Sequence, residues 1–222
     1  MEPLLSDVEV RVLGCLIEKE TTTPDYYPLT LNSLTAACNQ KSNRNPEMWL
    51  DEPAVVAALD TLKYRHQLIA NVATPGSRVS KYKHNIGSRW PLSLPELAIL
   101  CELMLRGPQT LGELRTHTER LHGFTGTEEI ESVLNGLAGR QEGPLVAKLP
   151  REAGRKESRY AHLLSGPVAL PAGATEPPPE PARLQIRADG ERIAQLEQAI
   201  GALKAEVDGL KALFAEFKKQ FE

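Results

Sequence analysis

The side chains able to do chemistry in this chain are few and poorly grouped for catalysis. Cys15, Cys38 and Cys101 lie far apart with no CxxC pair. That excludes a disulfide framework or a zinc ribbon and fits a reducing compartment, so a cytoplasmic location is expected. Cys15 and Cys101 fall within apolar helical stretches, where a small buried thiol is the ordinary reading. Cys38 stands beside Asn39, but no base is positioned next to it. His84 and His162 recur at equivalent positions of a repeat, and His117 and His122 point to different sides of a helix. There is no GxxxxGK(S/T), strand-linked GxGxxG, GxSxG or HExxH. The expectation is therefore no catalytic residue, no cofactor and no metal.

What remains is charge. The formal net charge is −3, so any attraction to a polyanion has to be local. Between Asn39 and Arg89, Lys41, Arg44, Lys63, Arg65, Arg78, Lys81, Lys83 and Arg89 stand against Glu47, Asp51, Glu52 and Asp60. Between Lys148 and Tyr160, Lys148, Arg151, Arg155, Lys156 and Arg159 stand against Glu152 and Glu157. Lysine and arginine displace counterions from a nucleic-acid backbone. Arg78, Lys81 and Lys83, and likewise Arg151, Arg155, Lys156 and Arg159, with Tyr82 and Tyr160 beside them, therefore suit phosphate contact. The run Asn39-Gln40-Lys41-Ser42-Asn43-Arg44-Asn45 adds two cations and amide forks of the kind that read base edges. The same amides suit a polar loop that caps helix ends and bonds backbone. The residues alone leave both readings open.

The elements that carry these residues occur twice. Ser6-Asp-Val-Glu9 and Ser93-Leu-Pro-Glu96 are capping boxes, in which hydroxyl and carboxylate satisfy each other's unpaired N–H groups. The first opens a helix with Val12, Leu13, Leu16 and Ile17; the second, one with Ile99, Leu100, Leu103 and Met104. A short second helix follows Thr30-Leu31 and, again, Thr110-Leu111. A third carries Val55, Ala58, Leu59 and Leu62, answered by Ile130, Val133, Leu134 and Leu137. Each third helix runs into an apolar strand (Leu68-Ile69-Ala70, Leu145-Val146-Ala147), a turn and a second strand (Ser80 to His84, Ser158 to His162). Three helices and a β-hairpin in about 80 residues is the winged-helix arrangement, and a lone hairpin must pack on its helices. In a helix-turn-helix, the start of the third helix reads bases. Here those starts are Asp51-Glu52-Pro53 and Thr127-Glu128-Glu129-Ile130-Glu131, whose carboxylates suit a helix dipole but repel phosphate.

The chain has 222 residues, 41% hydrophobic and 25% charged, enough for a packed core. No uncharged apolar run approaches the length of a membrane span, and the N-terminus lacks a secretory pattern. Six prolines between Pro167 and Pro181 forbid helix and central strand there, so the stretch reads as an extended linker. Past it, Ile186, Ile193, Ile200, Val207, Phe214 and Phe221 recur every seven residues, with Leu196, Leu203, Leu210 and Phe217 in the same frame. β-Branched residues at a and Leu at d favour a parallel two-stranded coiled coil. In that register Arg192 meets Glu197, Glu206 meets Lys211, and no flanking pair repels. Against it stand Gly201, Gly209 and Asp189, and the alternative that the helix folds back on its own domains. A homodimer through Ile193, Leu196, Ile200, Leu203, Val207, Leu210, Phe214 and Phe217 is expected. The fold class is mainly α with small β-hairpins (α+β). Winged-helix domains at 1–88 and 89–166 precede a proline-rich linker at 167–183 and a coiled-coil helix at 184–222.

Three stretches, Ala37 to Pro46 (ACNQKSNRNP), Gly107 to Arg115 (GPQTLGELR) and Arg155 to Tyr160 (RKESRY), resemble the bacterial YceH-like proteins. The likeness covers most of residues 6–165 and says little about the tail. It implies two winged-helix domains and supplies no catalytic residues, that family having no assigned molecular role. Two functions are carried forward. One is a dimeric, non-enzymatic, DNA-associated protein, a transcriptional regulator touching double-stranded DNA through the wings and the Asn39–Asn45 loop. The alternative is an adaptor that binds an unidentified protein through the winged-helix surfaces, favoured by the balanced charge and the acidic third helices; the basic wings, the Asn39–Asn45 loop and dimerisation favour the DNA-associated reading, which is the one expected. Neither involves a membrane.

Overall fold

The computed structural model describes residues 5–73, 79–151, 154 and 157–168. All lie in the first of two compact units, Met1–Leu170; the second, Pro171–Glu222, is outside the described residues. Arg78, Arg155 and Lys156, the proline-rich linker from residue 169 on, and the heptad positions Ile193, Leu196, Ile200, Leu203, Val207, Leu210, Phe214 and Phe217 also fall outside them.

The architecture is α+β, with six α-helices and two small antiparallel sheets among the described residues. Helix α1 (Asp7–Thr22) begins at the capping box, Ser6 N–H donating to Glu9 Oε2 at 2.7 Å and Glu9 N–H to Ser6 Oγ at 3.3 Å. Strand β1 (Leu29–Thr30) leads into α2 (Leu31–Cys38), whose N-cap Thr30 accepts the Ser33 N–H at 3.3 Å. Helix α3 (Glu52–Asp60) starts at Asp51, whose carboxylate accepts the Ala54 N–H at 3.0 Å. That acid completes a helix end. After a π-helical turn (Thr61–Arg65), β2 (Ile69–Val72) and β3 (Lys81–His84) form the hairpin, with β3 central in a three-stranded sheet ordered β1-β3-β2.

The second half repeats the order. Helices α4 (Leu94–Arg106), α5 (Leu111–Thr118) and α6 (Thr127–Ala138) are followed by β4 (Val146–Lys148) and β5 (Tyr160–His162). Helix α5 has its own capping box, Thr110 with Glu113. The counterpart of β1 is a single bridge, Gln109 and Tyr160 exchanging backbone hydrogen bonds at 3.0 and 2.7 Å. This third ladder element in each half has no sequence signature, because two residues are too few to show alternation.

The first helices of the two copies pack against each other at Gly14. A Cβ at that position would lie 3.0 Å from Leu105 Cδ2 and 3.3 Å from Met104 Cβ. Cys101, equivalent to Gly14 in the repeat, donates its thiol to the Gly14 carbonyl at 3.4 Å. Val12, Leu13, Leu16, Ile99, Leu100 and Leu103 are all fully buried, and one continuous apolar cluster runs through both halves.

Candidate functional site

The Asn39–Asn45 loop is built into the fold. Asn39 clamps Leu50, donating Nδ2 to its carbonyl and accepting its N–H, both at 2.7 Å. Gln40 Oε1 accepts from Lys19 at 3.4 Å and from Arg44 at 3.1 Å. Asn43 adopts φ 60° and accepts from Arg106 through Oδ1. The left-handed conformation suits an asparagine in a tight turn.

Arg44 is the largest correction. Its side chain is 0% exposed and ion-paired with Glu18, Nη1 to Oε1 at 3.0 Å and Nη2 to Oε2 at 2.6 Å. The remaining donors go to the carbonyls of Ala37 and Asn43. A guanidinium spent in this way cannot displace counterions from DNA. Of the loop's cations, Lys41 alone is exposed, with Nζ 5.8 Å from the centre of the Trp49 ring.

The two hairpins divide similarly. Side chains alternate along a strand. Lys81, paired with Thr30 and Val72, and Lys83, paired with Ala70, therefore share the sheet face opposite Ile69 and His84. Neither lysine has a carboxylate partner among the described residues. Arg151 is exposed. Arg159 donates instead to the Pro108 carbonyl at 2.9 Å and to Glu113 at 3.2 Å. Tyr160 is buried, with Lys148 Nζ 5.6 Å from its ring, so its phenol is a core group and no phosphate contact.

Helix α3 turns a different surface outward. Pro53, Val56, Ala57 and Asp60 are exposed along one side of it, continued by Tyr64, which is 71% exposed. This is the i, i+3, i+4, i+7 spacing of a single helix face. Trp49, 74% exposed, stands just before the helix. Beside α3 lies a groove of about 310 Å³ lined by Val8, Glu9, Ala54, Ala57, Ala58 and Thr61. The sequence signal for this face is the set of apolar positions of α3 left over once Val55, Ala58, Leu59 and Leu62 are assigned to the core.

Between the two halves, two carboxylates closed to solvent organise a cluster of cations. Glu18 of α1 meets Arg44, Arg120 and Lys19; Glu102 of α4 meets Arg106 at 2.8 Å and Arg120 at 3.2 Å. Arg120 thus spans both first helices. Burial pushes the Glu18 carboxyl up, but the hydrogen bonds and charge of Arg44, with Arg120 and Lys19, outweigh it and hold the group at about 2. Arg11, also buried, donates to the carbonyls of Cys38 and Pro46 and has no carboxylate partner among the described residues. On the outer side of the cluster is a cleft of about 180 Å³, walled by Asn43, Arg44, Asn45, Arg106, Pro108, Gln109, Glu113, His117 and Arg159. Gln109 is held by donating to the Glu102 carbonyl at 3.1 Å, and burial, then Arg106, pushes the His117 imidazole down. Cys38, the thiol singled out by sequence, is buried, and contact with Cys15 together with burial pushes it up.

Residues 5–155 match the family described as "Protein of unknown function, DUF480". The chain belongs to this family. A UPF0502 protein of Geobacter sulfurreducens is 59% identical over 222 residues, covering all of both chains. One from Geotalea uraniireducens is 54% identical over the same full extent. One from Vibrio atlanticus is 48% identical over 96% of this chain and 98% of its own. The resemblance to the YceH-like proteins accords with these names. The full-length alignments extend the likeness into the tail, which the quoted stretches did not reach. Those stretches, distant in sequence, supply every wall of the junction cleft except Arg106 and His117.

Proposed function

We propose that this protein is a non-enzymatic adaptor made of two winged-helix units, which docks a partner protein on the outer face of α3. The carrying observation is the exposed stripe Pro53, Val56, Ala57 and Tyr64, with Trp49 at its head and an apolar groove alongside. Water-exposed aromatics of this kind are enriched where proteins meet. Glu52 and Asp60 on the same helix, with Lys41 over Trp49 and Lys63 over Tyr64 at 5.8 and 4.8 Å, give the apolar patch a rim of both signs, which suits a partner protein with a mixed polar rim. The C-terminal heptads would pair two such adaptors, giving a bivalent protein.

A second reading has one specific observation behind it. Lys81 and Lys83 share an outward sheet face, which supports contact with duplex phosphates through the first wing. Such contact would position DNA without reading it, because the Asn39 amide and Arg44 are already engaged.

A photo-crosslinking amino acid at position 56 of the full chain, expressed in bacteria, tests the adaptor reading. The expected result is a protein adduct that Trp49→Ala with Tyr64→Ala abolishes, and that is absent when the probe sits at the exposed Thr116 of α5. Equal adducts at positions 56 and 116 would overturn it.

A further inference from the structure

We propose that the junction cleft binds a small oxyanion of two negative charges, inorganic phosphate or a phosphate monoester. Two guanidinium groups that keep a donor free, Arg106 and Arg159, line it against one carboxylate, Glu113, with the sealed Arg44–Glu18 pair behind them. The wider ion-paired network gives the same sign: Lys19, Arg44, Arg106, Arg120 and Arg159 are connected to only Glu18, Glu102 and Glu113. Five cations to three carboxylates, with buried Arg11 also lacking a carboxylate partner among the described residues, leave a cationic excess that favours a dianion over a monocarboxylate.

Donors are left over for such a guest. Arg106 spends Nε on Glu102 and Nη2 on Asn43, and Arg159 spends Nη1 on Pro108 and Nη2 on Glu113. Nη1 of Arg106, Nε of Arg159 and Nδ2 of Asn43 donate to no atom of the described residues. The buried Glu102 carboxylate fixes the Arg106 guanidinium before any ligand arrives. The ordering cost of gripping an anion is therefore reduced, and charge-assisted hydrogen bonds to oxyanions are among the strongest. A volume of about 180 Å³ admits a single small ion or the phosphate end of a monoester. The ligand would sit between the Asn43–Asn45 loop of the first half and Arg106, Glu113 and Arg159 of the second, so its occupancy acts where the two halves meet and is separate from docking on α3.

Calorimetric titration of the full chain with inorganic phosphate and with O-phosphoserine, in chloride buffer at constant ionic strength, tests this. One saturable site per chain is expected. Arg159→Gln should weaken binding about tenfold, whereas Arg151→Gln, on the exposed surface, should leave it unchanged. Glu113→Gln puts an amide oxygen where the carboxylate oxygen accepts the Thr110 N–H of the α5 cap; it removes the nearest negative charge and frees Arg159 Nη2 for the anion, so it should tighten binding several-fold. This opposite sign separates a binding effect from damage to the fold. Binding of phosphate without O-phosphoserine assigns the free ion; O-phosphoserine binding as tightly or more so assigns a monoester. The proposal is overturned by no saturable heat from either compound, by equal weakening in Arg159→Gln and Arg151→Gln, or by weakening in Glu113→Gln.

Discussion

Glu18 and Arg44 form a two-pronged ion pair at 3.0 and 2.6 Å, with both side chains sealed from water. Removing one partner of such a pair leaves a bare buried charge, which costs about 3–5 kcal/mol, while exchanging both for apolar groups of similar volume is often near neutral. Glu18→Met and Arg44→Met should each destabilise the fold by several kcal/mol. The two changes together should cost much less than their sum. Urea unfolding of the parent, both single variants and the double variant measures the coupling; strictly additive losses would remove Arg44 from the fold's framework and return it to the surface.

Acid should weaken the protein in two phases. Burial pushes His162 down to about 4 in the folded chain, below the roughly 6.5 of an unfolded histidine. The unfolded state takes up that proton first, so stability falls between about pH 6.5 and about pH 4. His66, also pushed down by burial, adds to this phase. Glu18 is held at about 2, against about 4.3 when unfolded. Its contribution is present above the unfolded value and is lost as pH falls from there through about 2. Urea midpoints measured across this range should show both phases, and His162→Phe should shrink only the upper one.

Two helical glycines should respond oppositely to alanine. Gly136 in α6 has open space where a Cβ would point, so Gly136→Ala should gain up to about 1 kcal/mol of helix propensity. At Gly14 the same methyl meets Leu105 at 3.0 Å, so Gly14→Ala should lose that gain, and Gly14→Val should cost about 1–3 kcal/mol by overpacking α1 on α4. Thermal unfolding compares them directly.

Leu203→Asp in the full chain should halve the mass seen by light scattering by placing a charge in the heptad seam, and removing residues 183–222 should lower it to that of the shortened monomer. An unchanged monomer mass before and after either alteration would mean that the heptads do not self-associate.

Much of this molecule was legible in its sequence where periodicity and capping chemistry speak locally. The Ser6–Glu9 and Ser93–Glu96 boxes, the apolar faces of α1 and α4, and the paired strands could be placed because each signal spans a few neighbouring residues. The burial of Arg44 could not. It depends on Glu18, twenty-six positions away, and on Arg120 arriving from beyond α5 to share that carboxylate. A lone acid inside each apolar first helix, Glu18 and Glu102, was the available clue, since a carboxylate on a buried face demands a cation. Charge counting by segment gave Arg44 and Arg159 to the surface, because composition carries no information on which cation has already found its acid. The cleft is legible only once the three family-like stretches are seen to meet.

The most direct test of the account is equilibrium binding of the full chain to random-sequence duplex DNA at about 50 mM salt, followed by anisotropy. Third helices headed by carboxylates, with Arg44 and Arg159 committed to Glu18 and Glu113, predict no association in the micromolar range. Micromolar binding that falls steeply with salt, and that Lys81→Ala with Lys83→Ala abolishes, would contradict the adaptor and make the first wing a DNA contact.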